Sequence, residues 1–271
     1  MSQAELLESL SEQYRKHLDP SGGPARMMAA RGMAPLPPRE LFIVLCGLSV
    51  DSNEGLSAAA SASLGKLPED LLAPALDQDL PAAALAIATP HLKDRDTLLE
   101  KILLNQKTPD DVIAGVAAGL SEPLAEIVIG NQERCLRSEA IISEIRKNGA
   151  LPRASLDRMF DFLVRSGVIY DDMAEFGQAM SRLSVTEMAS FAENIELPPE
   201  VGDFTEEDGS ETEVEEERRV PMLKLVAQLT AAQKVALALK GNREARTILI
   251  RDSNRVVAAA AVGESSCEDA L

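Results

Sequence analysis

The sequence predicts an all-α protein, and three observations carry that prediction. The chain has 271 residues, 45% of them hydrophobic, yet it contains no Trp, two Tyr and six Phe. Its apolar residues are mostly Ala, Leu, Val and Ile, which suit closely packed helices better than a sandwich built on β-branched and aromatic residues. Proline and capping residues recur at expected helix starts, and only Leu41 to Leu45 resembles a strand of useful length, in flanks that favour helix.

Residues 1–18 open the chain. Leu6, Leu7, Leu10 and Tyr14 recur at helical spacing, so an amphipathic helix is expected from Ala4 to His17. Residues 19–38, DPSGGPARMMAARGMAPLPP, join paired glycines to repeated prolines without an apolar period, and read as a linker or surface loop. Met27, Met28 and Met33 could anchor that loop in a groove.

A helical domain is expected over residues 39–199. ELFIVLCGLS begins it, and SNEGLSAAASASLGKL follows with Leu56, Ala59, Ala60 and Leu64 on one side. Pro68 and Pro81 stand where a first helical turn tolerates a missing N–H. Thr108 is the expected N-cap of the next helix, with Pro109 after it and Asp110 and Asp111 complementing the helix dipole. Ser138 is expected to cap SEAIISEIRK, and Asn148-Gly149 to stop it. SVTE, from Ser184 to Glu187, is a capping-box pattern.

Two stretches within this domain look alike. LPAAALAIATPHLKDRDTLLEKILLN and EPLAEIVIGNQERCLRSEAIISEIRKN each show an early proline, a short apolar helix, a polar turn and a second helix with paired aliphatics. The offset is 42 residues from Pro81 to Pro123 and 43 from Leu98-Leu99 to Ile141-Ile142. That period lies in the HEAT and armadillo range and predicts an α-solenoid of stacked helix pairs, with a non-repetitive helical domain as the other reading. Phe160, Phe162 and Tyr170 concentrate the aromatic residues near its close.

Residues 200–219 carry ten acidic and two basic side chains and are expected to form a disordered acidic linker. Residues 220–262 reverse the balance, seven basic to two acidic, and read as a small helical module. Within it TAAQ, from Thr230 to Gln233, is a second capping box, Gly241 a left-handed stop and Asn242 a cap. Ala245, Ile248 and Leu249 are the expected buried side of one helix, and Val256, Val257 and Ala260 that of the last. Residues 263–271 form a polar tail.

Lys240, Arg243, Arg246, Arg251 and Arg255 are the candidate interaction surface. LKGNREAR lacks the glycine-rich run and GK[ST] of a phosphate loop. Two readings remain: a nucleic-acid ridge, which lacks interleaved aromatic residues, and internal ion pairing of Arg246 or Arg251 with Asp252 or a helix end. With no capping repeat behind it, the module is expected to dock on the N-terminal domain, or to form a homo-oligomer through a Val256, Val257 and Ala260 edge.

A formal charge of −17 opposes binding of the whole molecule to DNA or anionic lipid. Cys46, Cys135 and Cys267 are odd in number and widely separated, which argues against a disulfide framework or a zinc site. The N-terminus does not read as a signal peptide and no apolar run is long enough to span a bilayer, so no membrane association and a cytoplasmic location are expected. No catalytic, cofactor-binding or metal-binding residue can be assembled, and no cofactor or enzymatic activity is expected.

AQKVALALKGNREARTILIRDSNRVVAAAAV resembles a recurrent motif of uncharacterised bacterial HEAT-like helical-repeat proteins found among myxobacteria-like groups. LEKILLNQKTPDDVIAGVAAGLSEPLAEIVIGNQERCLRSEAIISEI is similar to their N-terminal repeats, and the likeness covers most of Pro35 to Val262. It implies a helical-repeat fold and no catalytic residue or substrate. It also implies that distal repeats are replaced here by GESSCEDAL. The expected function is a protein-binding scaffold or adaptor with a protein partner; the alternative is a nucleic-acid-associated regulator whose acidic linker shields the basic module.

Overall fold

The computed structural model describes residues 3–199, 201 and 223–268. The acidic segment, Val201 apart, therefore lies outside the described residues, as do residues 220–222 and 269–271. Among the described residues every regular element is a helix. They form two compact units, residues 1–152 and 153–271. That division falls earlier than the boundary between helical domain and C-terminal module expected from the sequence.

The first unit begins with α1 (Gln3–Ser9) and two 3-10 turns (Glu12–His17 and Pro20–Gly22), followed by α2 (Pro24–Ala30). The single helix expected to His17 breaks at Ser11, whose ψ of 142° is extended. The expected linker contains α2, which opens with Pro24 at its first turn and buries Ala29 and Ala30. Small alanines, and Arg26 turned inward to pair with Asp51, replace the apolar stripe that would have marked this helix.

The unit continues through α3 (Pro38–Ser49), α4 (Glu54–Lys66), α5 (Glu69–Leu76), α6 (Ala82–Leu92) and α7 (Asp96–Leu104). It ends with α8 (Asp110–Ala117), α9 (Glu122–Gly130), α10 (Gln132–Arg137) and α11 (Glu139–Ile145). These helices stack in two rows. In one, α3, α5, α7 and α9 pack each on the next; in the other, α2, α4, α6, α8 and α11 do the same. The arrangement is compatible with an α-solenoid, in which a helix pair buries its apolar face only against its neighbours. Leu98, Leu99, Ile141 and Ile142 all lie in that core.

The repeat length differs from the 42–43 residues read in the sequence. In the second row α4, α6, α8 and α11 start at Glu54, Ala82, Asp110 and Glu139, steps of 28, 28 and 29 residues. Pro81 precedes a helix of the second row, whereas Pro123 lies in α9 of the first. The sequence match therefore laid one row on the other, a step of one and a half units. Proline is tolerated at the start of a helix in either row, so it carries no information about which row a helix joins.

Polar side chains tie segments 25 to 31 residues apart. Arg95 donates to Leu67 O at 2.8 Å, Ser121 to Asp96 Oδ2 at 2.6 Å, and Asn148 to Ala117 O and Leu120 O at 2.8 and 2.9 Å. Thr108 does not cap α8: Pro109 holds the N-cap position, and the Thr108 hydroxyl donates to Ile102 O. Ser138 caps α11 as expected, accepting from the Ile141 N–H.

The second unit comprises α12 (Arg153–Arg165), α13 (Ala174–Ser181) and α14 (Val185–Asn194), then α15 (residues 223–228), α16 (Ala231–Lys240), α17 (Arg243–Leu249) and α18 (Arg255–Glu268). Phe160 of α12 meets Phe176 of α13 edge-on at 4.9 Å between ring centres. α14 packs on α12 and α16, while α18 packs on α13, α16 and α17. The C-terminal helices therefore share one compact unit with residues 153–194. Both expected capping boxes form, at Ser184 with Glu187 and at Thr230 with Gln233. α18 extends through residues 263–268, where a polar tail was expected.

Candidate interaction surface

The expected basic surface is carried by α16, α17 and α18, which pack on one another. Asn242 stops one turn and starts the next, its Oδ1 accepting from the Ala245 N–H at 3.0 Å. Gly241 precedes it with φ −74°, so the left-handed stop read from the sequence does not form. Glycine is required there for a different reason: a Cβ would lie 2.3 Å from Leu237 O.

The second turn is fixed by Asp252 and Asn254. Asp252 accepts from the Asn254 N–H at 2.8 Å and pairs with Lys234 Nζ at 2.9 Å. Asn254 accepts from the Val256 N–H and donates to Asp171 Oδ1, both at 2.9 Å. Asp252 thus takes its cation from α16, rather than from Arg246 or Arg251. The Lys234 and Asp252 side chains are 19% and 10% exposed. Glu244, the other acidic residue of this region, has a carboxylate oxygen buried without a hydrogen-bond partner.

Asp252 is therefore committed to Lys234, and Glu244 is half-buried. Arg243, Arg251 and Arg255 are exposed and Lys240 is half-buried, and none forms an ion pair among the described residues. Arg246 is half-buried and engaged within the chain. On α17 the exposed residues are Arg243, Thr247 and, just past the helix, Ile250, recurring at the i, i+4, i+7 spacing of one helical face. The sequence reading passed over Ile250, although that spacing from Arg243 was available to mark it.

Ala245 and Leu249 form the buried side of α17, with Ile248 half-buried. Val256 and Val257 are buried and Ala260 is half-buried, α18 packing on α13 and α16. Of the expected self-association edge, Val256 and Val257 are thus covered within the same unit, and Ala260 is covered in part. Sequence periodicity located an inner face correctly but could not tell which helix covers it.

Two grooves lie elsewhere. One of about 340 Å³ runs between α5 and α7, with Leu76, Asp77, Glu100, Lys101 and Leu104 on its walls. The other, about 270 Å³, is bordered by Arg165, Leu183, Glu187 and Phe191. Neither lining contains a histidine or cysteine. Cys46 and Cys135 are buried thiols, and burial pushes Cys135 up to about 11. Among the described residues no group of three or more His, Cys, Asp or Glu could hold a metal ion. None of the described helices is long and apolar enough to cross a membrane.

No family model matches the chain, and neither curated proteins nor solved structures yield a match. The resemblance to bacterial HEAT-like proteins accordingly gains no support from these comparisons.

Proposed function

We propose that the chain is a non-enzymatic scaffold or adaptor in the cytoplasm, built on HEAT-like stacking with a short unit of about 28 residues. One observation carries this reading: Asp252 turns to Lys234 and one Glu244 carboxylate oxygen is buried, while Arg243, Arg251 and Arg255 are exposed and form no ion pair among the described residues. A stack of helix pairs supplies extended contact surface, which suits binding of a protein partner.

Affinity capture by the full chain, identification of bound proteins and reconstitution with each purified candidate tests the reading. A stoichiometric complex by size-exclusion chromatography with light scattering is expected. Recovery of nucleic acid alone, or a purified complex that turns over a small substrate, would sink it.

The same cations favour a second reading, a nucleic-acid-associated regulator in which the acidic segment 200–219 competes for the basic surface. Deleting residues 200–217 would then strengthen duplex DNA binding by the full chain, with a steep salt dependence. Binding unmoved by both changes removes this alternative.

A further inference from the structure

We propose that the outward stripe of α17 docks an acidic protein segment carrying an aliphatic anchor. Ile250 receives the anchor, and Lys240, Arg243, Arg251 and Arg255 receive the carboxylates. The inference rests on the scaffold reading and names the chemistry of its partner.

The stripe is compact. Seven helical residues span roughly 10 Å, close to a Debye length at physiological salt, so cations at both ends of α17 act on one bound segment. Lys240 and Arg243 flank the turn at one end. Arg251 and Arg255 flank the turn at the other, Arg255 being the first residue of α18. Asp252 does not neutralise this charge from outside, since it pairs with Lys234, and one carboxylate oxygen of Glu244 is buried.

Two features favour a protein segment over nucleic acid. Ile250 is 42% exposed on the stripe itself, and an aliphatic side chain there gains from an apolar partner that a phosphate backbone lacks. Residues 223–262 contain no Phe, Tyr or Trp on which a base could stack. Charge density points the same way. DNA presents about one charge per 1.7 Å beyond the stripe, toward a chain of formal charge −17, whereas a short acidic segment engages the stripe alone.

Fluorescence anisotropy with the intact chain tests this. The probes are a short labelled Glu/Leu peptide, its Lys/Leu counterpart and a duplex DNA of similar length. The Glu/Leu peptide is expected to bind and to weaken as salt rises from about 50 to 200 mM. Arg243→Glu with Arg251→Glu should weaken it about tenfold or more, and Ile250→Ser about fivefold with the salt dependence retained. Circular dichroism melts confirm folding, and Arg243→Gln with Arg251→Gln gives the same comparison if charge reversal unfolds the unit.

Failure of the Glu/Leu peptide to bind, indifference of its affinity to the arginine variants, or tighter binding of duplex DNA overturns the assignment. A stoichiometric protein complex insensitive to the arginine and isoleucine variants also overturns it, while leaving the scaffold reading intact. Peptide binding with the expected sensitivities but no protein complex supports the stripe and sinks the scaffold reading.

Discussion

Arg134, in α10, pairs with Asp110 at the start of α8, 24 residues earlier in the chain. The guanidinium side chain is 4% exposed and also donates to Thr108 O at 2.7 Å, Asn105 O at 2.9 Å and Gln106 O at 3.1 Å. A planar fork thus satisfies the carbonyls of the connection between α7 and α8, which no helix can serve. Lysine offers a point charge without that geometry. Arg134→Lys should destabilise the first unit by about 2–4 kcal/mol, measured by urea unfolding. Asp110→Asn should cost less, because Arg134 keeps its three carbonyl partners. Equal stability of Arg134→Lys and the unaltered chain would show the fork to be dispensable.

Acid should weaken both units. Hydrogen bonding from Arg137, reinforced by Arg134, holds the Asp110 carboxyl below its ordinary value. The Ser184 backbone N–H and hydroxyl, with Arg165, do the same for Glu187. A carboxyl depressed in the folded state contributes stability fully above its unfolded value, near 4 for both residue types, and loses it as pH falls through the lower folded value. Stability should therefore be level from about pH 6 to 5 and fall below about pH 4. Asp110→Asn combined with Glu187→Gln should flatten that fall in pH-dependent urea titrations; an unchanged slope would assign it to other carboxyls.

What was legible in the sequence was local. The capping boxes at Ser184 and Thr230 and the caps at Ser138 and Asn242 form because donor and acceptor lie within one turn of each other. Distance along the chain hid the rest. Pro81 and Pro123 look equivalent yet serve different rows, and Thr108 spends its hydroxyl on Ile102 O instead of on α8. Val256 and Val257 were recognised as an inner face, but α13, which helps to cover them, starts about 80 residues earlier. The cationic surface was visible as composition. That Arg243, Arg251 and Arg255 form no ion pair among the described residues was not, because Asp252 turns to Lys234.

The two buried thiols should be chemically silent in the folded chain. Desolvation pushes Cys135 up to about 11 and raises Cys46 as well, while Cys46 Sγ donates to Ala84 O at 3.4 Å. The thiolate is the reactive form, and at pH 8 a thiol near 11 holds about one part in a thousand as thiolate, before burial restricts access. In a Cys267→Ser background, Ellman's reagent should label neither residue until denaturant unfolds the first unit. Stoichiometric labelling of the native chain would show that α3 or α10 opens readily.

Gly241→Ala separates two explanations for one glycine. Were the residue a left-handed stop, alanine would be disfavoured by its backbone angle, and asparagine would be a fair substitute. Its φ of −74° is instead ordinary for any residue, and the obstacle is space: an added Cβ meets Leu237 O at 2.3 Å and the Ala245 Cβ at 2.9 Å. One obstacle is backbone and the other a short side chain, so neither can swing away. Relief requires α16 and α17 to move apart. Gly241→Ala should destabilise the second unit by about 1–3 kcal/mol, and Gly241→Asn by no less. Thermal melts in which asparagine restores most of the stability lost by alanine would favour the left-handed explanation and refute the steric one.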